Sequence, residues 1–153
     1  MKKHSVLGIG SVSSGTMRAE DLIPSFLWEC EFLRMSKDDR DRIRQIDRYS
    51  EKEGYYQSED SMYDLEDLFD ILGNYVPPFC YFGSCPGDGA DYGVWICDDS
   101  IRDAIKDGEA IQIADLSELP RGYTGTAFIG NDHGNLSCYT VTNGRTREAW
   151  SIV

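Results

Sequence analysis

The sequence predicts an α+β fold, with N-terminal helices packed on a mainly antiparallel C-terminal sheet and the first strand a candidate to join that sheet. Three observations predict it. Apolar residues in the first half recur at helical spacing, as in Leu22, Ile23, Phe26, Leu27, Cys30 and Leu33. The second half breaks into short runs bounded by turn residues. Asn143-Gly144 is a strong hairpin signal, because both positions accept positive φ.

Residues 4–12 read as the first strand, ended by Ser13-Ser14-Gly15. Thr16 is placed to cap the next segment, with Glu20 and Asp21 in its first turn. Pro24 removes a helical hydrogen bond, so the spacing predicts a short turn through Ile23 and then a helix that starts near Pro24 and ends about Met35. Ser36 caps a helix of about 37–53, with Asp39 at the capping-box position. That helix offers only Ile43, Ile46 and Tyr49 to a core, and Gly54 ends it. A third helix, about 61–72, sets Met62, Leu65, Leu68, Phe69 and Leu72 on one face, acids on the other, and closes at Gly73. Strands follow at 79–82 and 93–97, joined by a glycine-rich loop, then a short helix at 100–107. Four more strands complete the chain at 109–115, 123–130, 136–142 and 145–153. No linker or repeat divides the chain, so 1–153 reads as a single domain.

A chain of 153 residues buries about two thirds of its unfolded surface and needs no staples. Nine Tyr, six Phe and three Trp argue for a folded chain. The five cysteines, Cys30, Cys80, Cys85, Cys97 and Cys138, are odd in number and lack C-x-x-C pairs, which suits thiols in a reducing compartment. No apolar stretch reaches membrane-spanning length, and Met1–Gly10 lacks the apolar run of a signal peptide. Cytoplasmic location is the expectation.

Twenty-seven acids against 15 bases give a net charge of −12. That argues against direct binding to nucleic acid or to an anionic membrane, both of which recruit Lys and Arg. No basic residue stands between Lys52 and Arg102, whereas acids recur throughout, including Glu59, Asp60, Asp64, Glu66, Asp67 and Asp70. Such a run is ordinarily a solvated face. As a functional surface, Asp60, Asp64, Asp67 and Asp70 would form an exposed row at spacings of four, three and three. Replacing Asp64 and Asp67 by Asn is then expected to leave folding intact.

The second candidate is Gly83–Gly93, with four glycines and a proline that permit tight turning and close approach to a ligand. Asp88 and Asp91 offer oxygen ligands there, but the spacing is not that of a calcium loop and a phosphate-binding lysine is absent. The plain alternative is a sharp strand connection. Asp132-His133 invites a general-base reading that adjacency weakens, and no nucleophile elbow exists. Cys85 has nothing local to lower its pKa, and the two histidines and scattered cysteines lack zinc spacing. Neither metal nor cofactor is expected.

Three stretches together carry a resemblance: Ser13–Pro24, Tyr81–Trp95, and Asn131–Asn135 with Glu148-Ala149-Trp150-Ser151. In these the chain resembles a set of small proteins, of no known activity, encoded by bacteriophages and other bacterial mobile elements. The charged second helix lies outside the resemblance. It implies a mobile-element origin, a bacterial host cell and no transferable catalytic residue.

The first expectation is thus a non-enzymatic phage or mobile-element protein whose acidic surface blocks a host nucleic-acid-handling factor, of the restriction or CRISPR type, at its basic groove. The alternative is a small-molecule or nucleotide-binding protein, or an enzyme, built on the Gly83–Gly93 loop with Asp88, Asp91 and His133 in a pocket. An assembly role is a third. A homodimer through an apolar helix patch or a free strand edge stays open.

Overall fold

The computed structural model describes residues 2–153 and divides the chain into two compact units, Met1–Ile96 and Cys97–Val153. The α+β class is what the structure shows. The strands of the second half, however, distribute over two sheets, one in each unit, rather than forming one.

In the first unit β1 (Gly10–Ser13), β3 (Asp88–Ile96) and β2 (Cys80–Cys85) form an antiparallel sheet in the order β1-β3-β2. The first strand does join a sheet, although of the expected 4–12 only residues 10–12 are strand, with Ser13 added. Residues 4–7 instead run beside other backbone, with the His4 amide donating to Phe32 and the Leu7 amide to Tyr75. The approach of β1 to β3 depends on glycine. A Cβ on Gly93 would lie 2.1 Å from the Gly10 carbonyl oxygen, so no other residue fits that register.

Three helices cover this sheet: α1 (Ala19–Cys30), α2 (Lys37–Ser50) and α3 (Glu59–Gly73). The N-cap of α1 is Arg18 rather than Thr16, whose hydroxyl instead bonds the Asp21 carboxylate at 2.6 Å and accepts from the Arg18 amide. Pro24 sits inside α1, not at its start. The carbonyl it leaves unbonded belongs to Glu20, an exposed residue, so the loss falls where water can replace the bond. Ser36 caps α2 as its sequence indicates, accepting from the Asp39 amide at 3.2 Å. The Asp39 side chain does not close a capping box; it accepts from the Tyr75 hydroxyl at 2.5 Å.

Phe26 is fully buried at the centre of the core, with Phe69, Phe82 and Tyr92 meeting it edge-on at ring separations of 5.1, 5.1 and 6.3 Å. These four rings tie α1, α3, β2 and β3 together in the edge-to-face arrangement that aromatic quadrupoles favour. Leu22, Ile23, Leu33, Ile46, Leu68, Leu72 and Val94 fill the space around them.

The second unit opens with α4 (Asp98–Lys106), followed by β4 (Ala110–Ile113), β5 (Gly125–Gly130), β6 (Leu136–Thr142) and β7 (Arg145–Ile152) in that spatial order. Its three strand pairs are parallel for β4–β5 and antiparallel for the other two. Asn143 (φ 48°) and Gly144 (φ 79°) make the two-residue turn of the β6–β7 hairpin. Ile101, Ala104, Phe128, Cys138, Val141 and Trp150 are buried here, with the Phe128 and Trp150 rings 6.3 Å apart. Among the described residues no helix is long and apolar enough to cross a membrane.

Candidate functional site: the outer face of α3

The burial of α3 follows from its periodicity. Leu65, Leu68 and Leu72 are buried, and at 100° per residue the direction opposite them passes through Glu59, Tyr63, Glu66 and Asp70. All four are exposed. Met62, 57% exposed, and Tyr63, 62% exposed, flank the three carboxylates, and Asp60 is exposed beside them. No ion pair or hydrogen bond engages the side chains of Glu59, Glu66 or Asp70 among the described residues.

Asp64 and Asp67 do not belong to this face, which corrects the row of four aspartates expected from spacing. Asp64 is buried, 5% exposed, and accepts from the Tyr55 hydroxyl at 2.8 Å and from Arg42 Nη2 at 2.6 Å. Asp67 is half-exposed and takes Arg42 Nη2 at 2.6 Å and Nε at 2.9 Å. Arg42, on α2, makes its fourth contact from Nη1 to Gln45 Oε1, 3.0 Å away. The cluster pins α2 to α3 and leaves no buried side-chain polar atom without a partner among the described residues. Burial by itself pulls the Arg42 guanidinium down, but hydrogen bonds to the two carboxylates outweigh it and the net shift is upward. Burial, then the hydrogen bond to Asp64, pushes the Tyr55 phenol well above its ordinary value. Both groups therefore keep the protonation that the cluster requires. Replacing Asp64 and Asp67 by Asn strikes a helix clamp and is not the neutral change that spacing suggests.

Two of the grooves on the helices of this unit are lined by aromatic residues. One, of about 630 Å3, lies over the clamp between Tyr49, Tyr55, Tyr63 and Asp60, with the Lys52 ammonium 4.4 Å above the Tyr49 ring. The other, of about 430 Å3, runs between α1 and α2 over Leu27, Trp28 and Ile43, with Lys3, Arg40 and Arg44 around it and Glu31 and Asp47 among them. Cys30 faces the second groove, yet burial, with Glu29 and Asp39 adding, pushes its thiol up to about 12, so it is no nucleophile near neutral pH.

The Gly83–Gly93 segment folds as a hairpin whose tip is Pro86-Gly87, and most of its residues are strand. Its polar groups serve the hairpin: Asp88 accepts from the Ala90 amide at 3.0 Å, Asp91 accepts from the Ser11 hydroxyl, and the Trp95 indole donates to the Gly83 carbonyl at 2.9 Å. His133 is exposed on the β5–β6 turn, where the Asn131 side chain accepts from the His133 and Asn135 amides at 2.9 and 3.1 Å. Asp88 and Asp91 belong to the first unit and His133 to the second, and neither groove is lined by any of them. No group of three His, Cys, Asp or Glu side chains converges to hold a metal among the described residues.

What fold and site together define is an α+β protein that presents an acidic helix face backed by a buried aromatic cluster. Comparison of the chain with protein-family models, with curated proteins and with solved structures gives no match.

Proposed function

We propose that this chain is an accessory protein of a bacteriophage or bacterial mobile element that inhibits a host nucleic-acid-handling defence factor by occupying its basic groove. The observation that carries the reading is the α3 face. Glu59, Glu66 and Asp70 project from one side of a packed helix with no counter-cation on it. Along the axis they are spaced by about 10 and 6 Å at 1.5 Å per residue. Carboxylates held on a rigid element lose little freedom on binding, and a row of them can stand in for a phosphate backbone. The resemblance of Ser13–Pro24 and Tyr81–Trp95 to mobile-element proteins supports the choice of a host defence factor as partner. Neither nucleic acid nor membrane is a direct ligand in this reading.

The test is capture from bacterial lysate by the wild type and by a Glu59→Gln, Glu66→Gln, Asp70→Asn triple variant, at 50 and 200 mM salt. The reading requires a captured protein that itself binds DNA or RNA, whose labelled duplex is displaced by the wild type. The triple variant is to displace it at least tenfold less well at the lower salt. Capture that is equal for both proteins, or a captured partner whose duplex is not displaced, refutes it.

A further inference from the structure

We infer that the protein associates with itself head to tail, the acidic face of α3 in one copy seating in the α1–α2 groove of the next. The groove has the character of an interface core. Trp28 is 60% exposed and stands edge-on to Phe32 at 5.3 Å, so a large aromatic surface borders the groove. An exposed Trp beside an apolar floor is a residue type that dominates binding energy at protein interfaces. Leu27 and Ile43 complete that floor.

Charge selects the occupant. Acids outnumber bases 27 to 15 in the chain, yet among the residues that line this groove Lys3, Arg40 and Arg44 outnumber Glu31 and Asp47. No ion pair engages Lys3 or Arg40 among the described residues, and Arg44 has only a 3.9 Å contact with the exposed Asp41. The groove therefore suits an amphipathic segment with large apolar side chains set among carboxylates. The outer face of α3 has that composition, with Met62 and Tyr63 flanking Glu59, Glu66 and Asp70. No residue belongs to both surfaces, and both lie on the first unit, so one copy can offer its helix while its own groove is filled. Such an interface is heterologous. It closes into a ring or runs on as an open chain, and it competes with any host partner for α3.

The experiment is sedimentation velocity of the purified full chain from micromolar to about 0.5 mM at 0.15 M salt. There the Debye length is about 8 Å, so the repulsion between two acidic molecules is screened while contact pairs survive. The wild type is expected to sediment faster as concentration rises. Trp28→Ser and, separately, the Glu66→Lys/Asp70→Lys double variant are each expected to weaken association at least tenfold. All three positions are exposed, and circular dichroism checks that the helices remain.

The decisive sample mixes the two variants. The double variant keeps an intact groove and Trp28→Ser keeps an intact α3, so together they form a 1:1 complex that cannot grow. A wild type that stays monomeric up to 0.5 mM overturns the inference. Association that survives the α3 charge reversal, or a mixture that stays monomeric, overturns it as well. None of these outcomes involves a host protein, so failure here is separate from failure of the proposed function.

Discussion

Asp64→Asn is the sharpest test of the helix clamp. The native carboxylate accepts one bond from the Arg42 guanidinium and one from the Tyr55 hydroxyl. An Asn of the same shape has a single acceptor oxygen, and its amide must face one of those two donors. One charge-assisted hydrogen bond is lost, for which about 1.5–3 kcal/mol is typical. Removing one partner of a fully buried pair costs about 3–5 kcal/mol, but the Arg42 side chain retains 27% exposure and keeps Asp67. The expected loss is therefore about 2 kcal/mol, which for a chain of this length lowers Tm by about 4–8 °C. Urea unfolding followed by far-ultraviolet circular dichroism measures it, with Tyr55→Phe and the double variant completing a cycle. Asp67→Asn, at a half-exposed position, is expected to cost less than about 1 kcal/mol. If Asp64→Asn unfolds within about 0.5 kcal/mol of the wild type, and its effect adds simply to that of Tyr55→Phe, the clamp argument is wrong.

The outer face of α3 behaves oppositely: Glu66→Gln with Asp70→Asn relieves an i,i+4 like-charge pair and is expected to leave stability unchanged or raise it by a few tenths of a kcal/mol, read as a Tm no lower than that of the wild type. Gly93→Ala places a Cβ against the Gly10 carbonyl and is expected to destabilise by about 3 kcal/mol or more, seen as lost soluble yield or a much lower urea midpoint. The Cys30 thiol, raised from 9.0 to about 12 by burial, holds its proton more tightly folded than unfolded. Its contribution is whole below pH 9 and is lost as pH rises from 9 toward 12. Alkaline unfolding is therefore expected to weaken in Cys30→Ala relative to its own stability at pH 7, and an alkaline limb identical in both proteins rules the thiol out.

Local chemistry determined much of this molecule without tertiary help. Ser36 begins α2, because its hydroxyl reaches an amide three residues on, within one turn. Asn143-Gly144 closes β6 onto β7, because only two residues must adopt positive φ. Leu65, Leu68, Phe69 and Leu72 of the expected α3 stripe face inward because they recur at the helical period of 3.6, whereas Met62, one turn earlier, is exposed. The unusual composition of Gly83–Gly93 turned out to serve a hairpin, with its aspartates bonding groups on their own sheet.

The tertiary structure alone decided which acids face outward. Asp60, Asp64, Asp67 and Asp70 have suitable spacing on paper. Asp64 is nonetheless buried, because Arg42 stands 22 residues before it and Tyr55 nine before it, and both need an acceptor there. Spacing along one helix carries no information about a neighbour's guanidinium. Strand pairing was decided the same way. The runs at 79–82 and 123–130 both read as strands, yet β2 pairs antiparallel with its successor alone, whereas β5 also takes β4 as a parallel neighbour. Hydrophobic alternation says that a strand has a buried face, whereas its partner is chosen by which edge the rest of the chain leaves open.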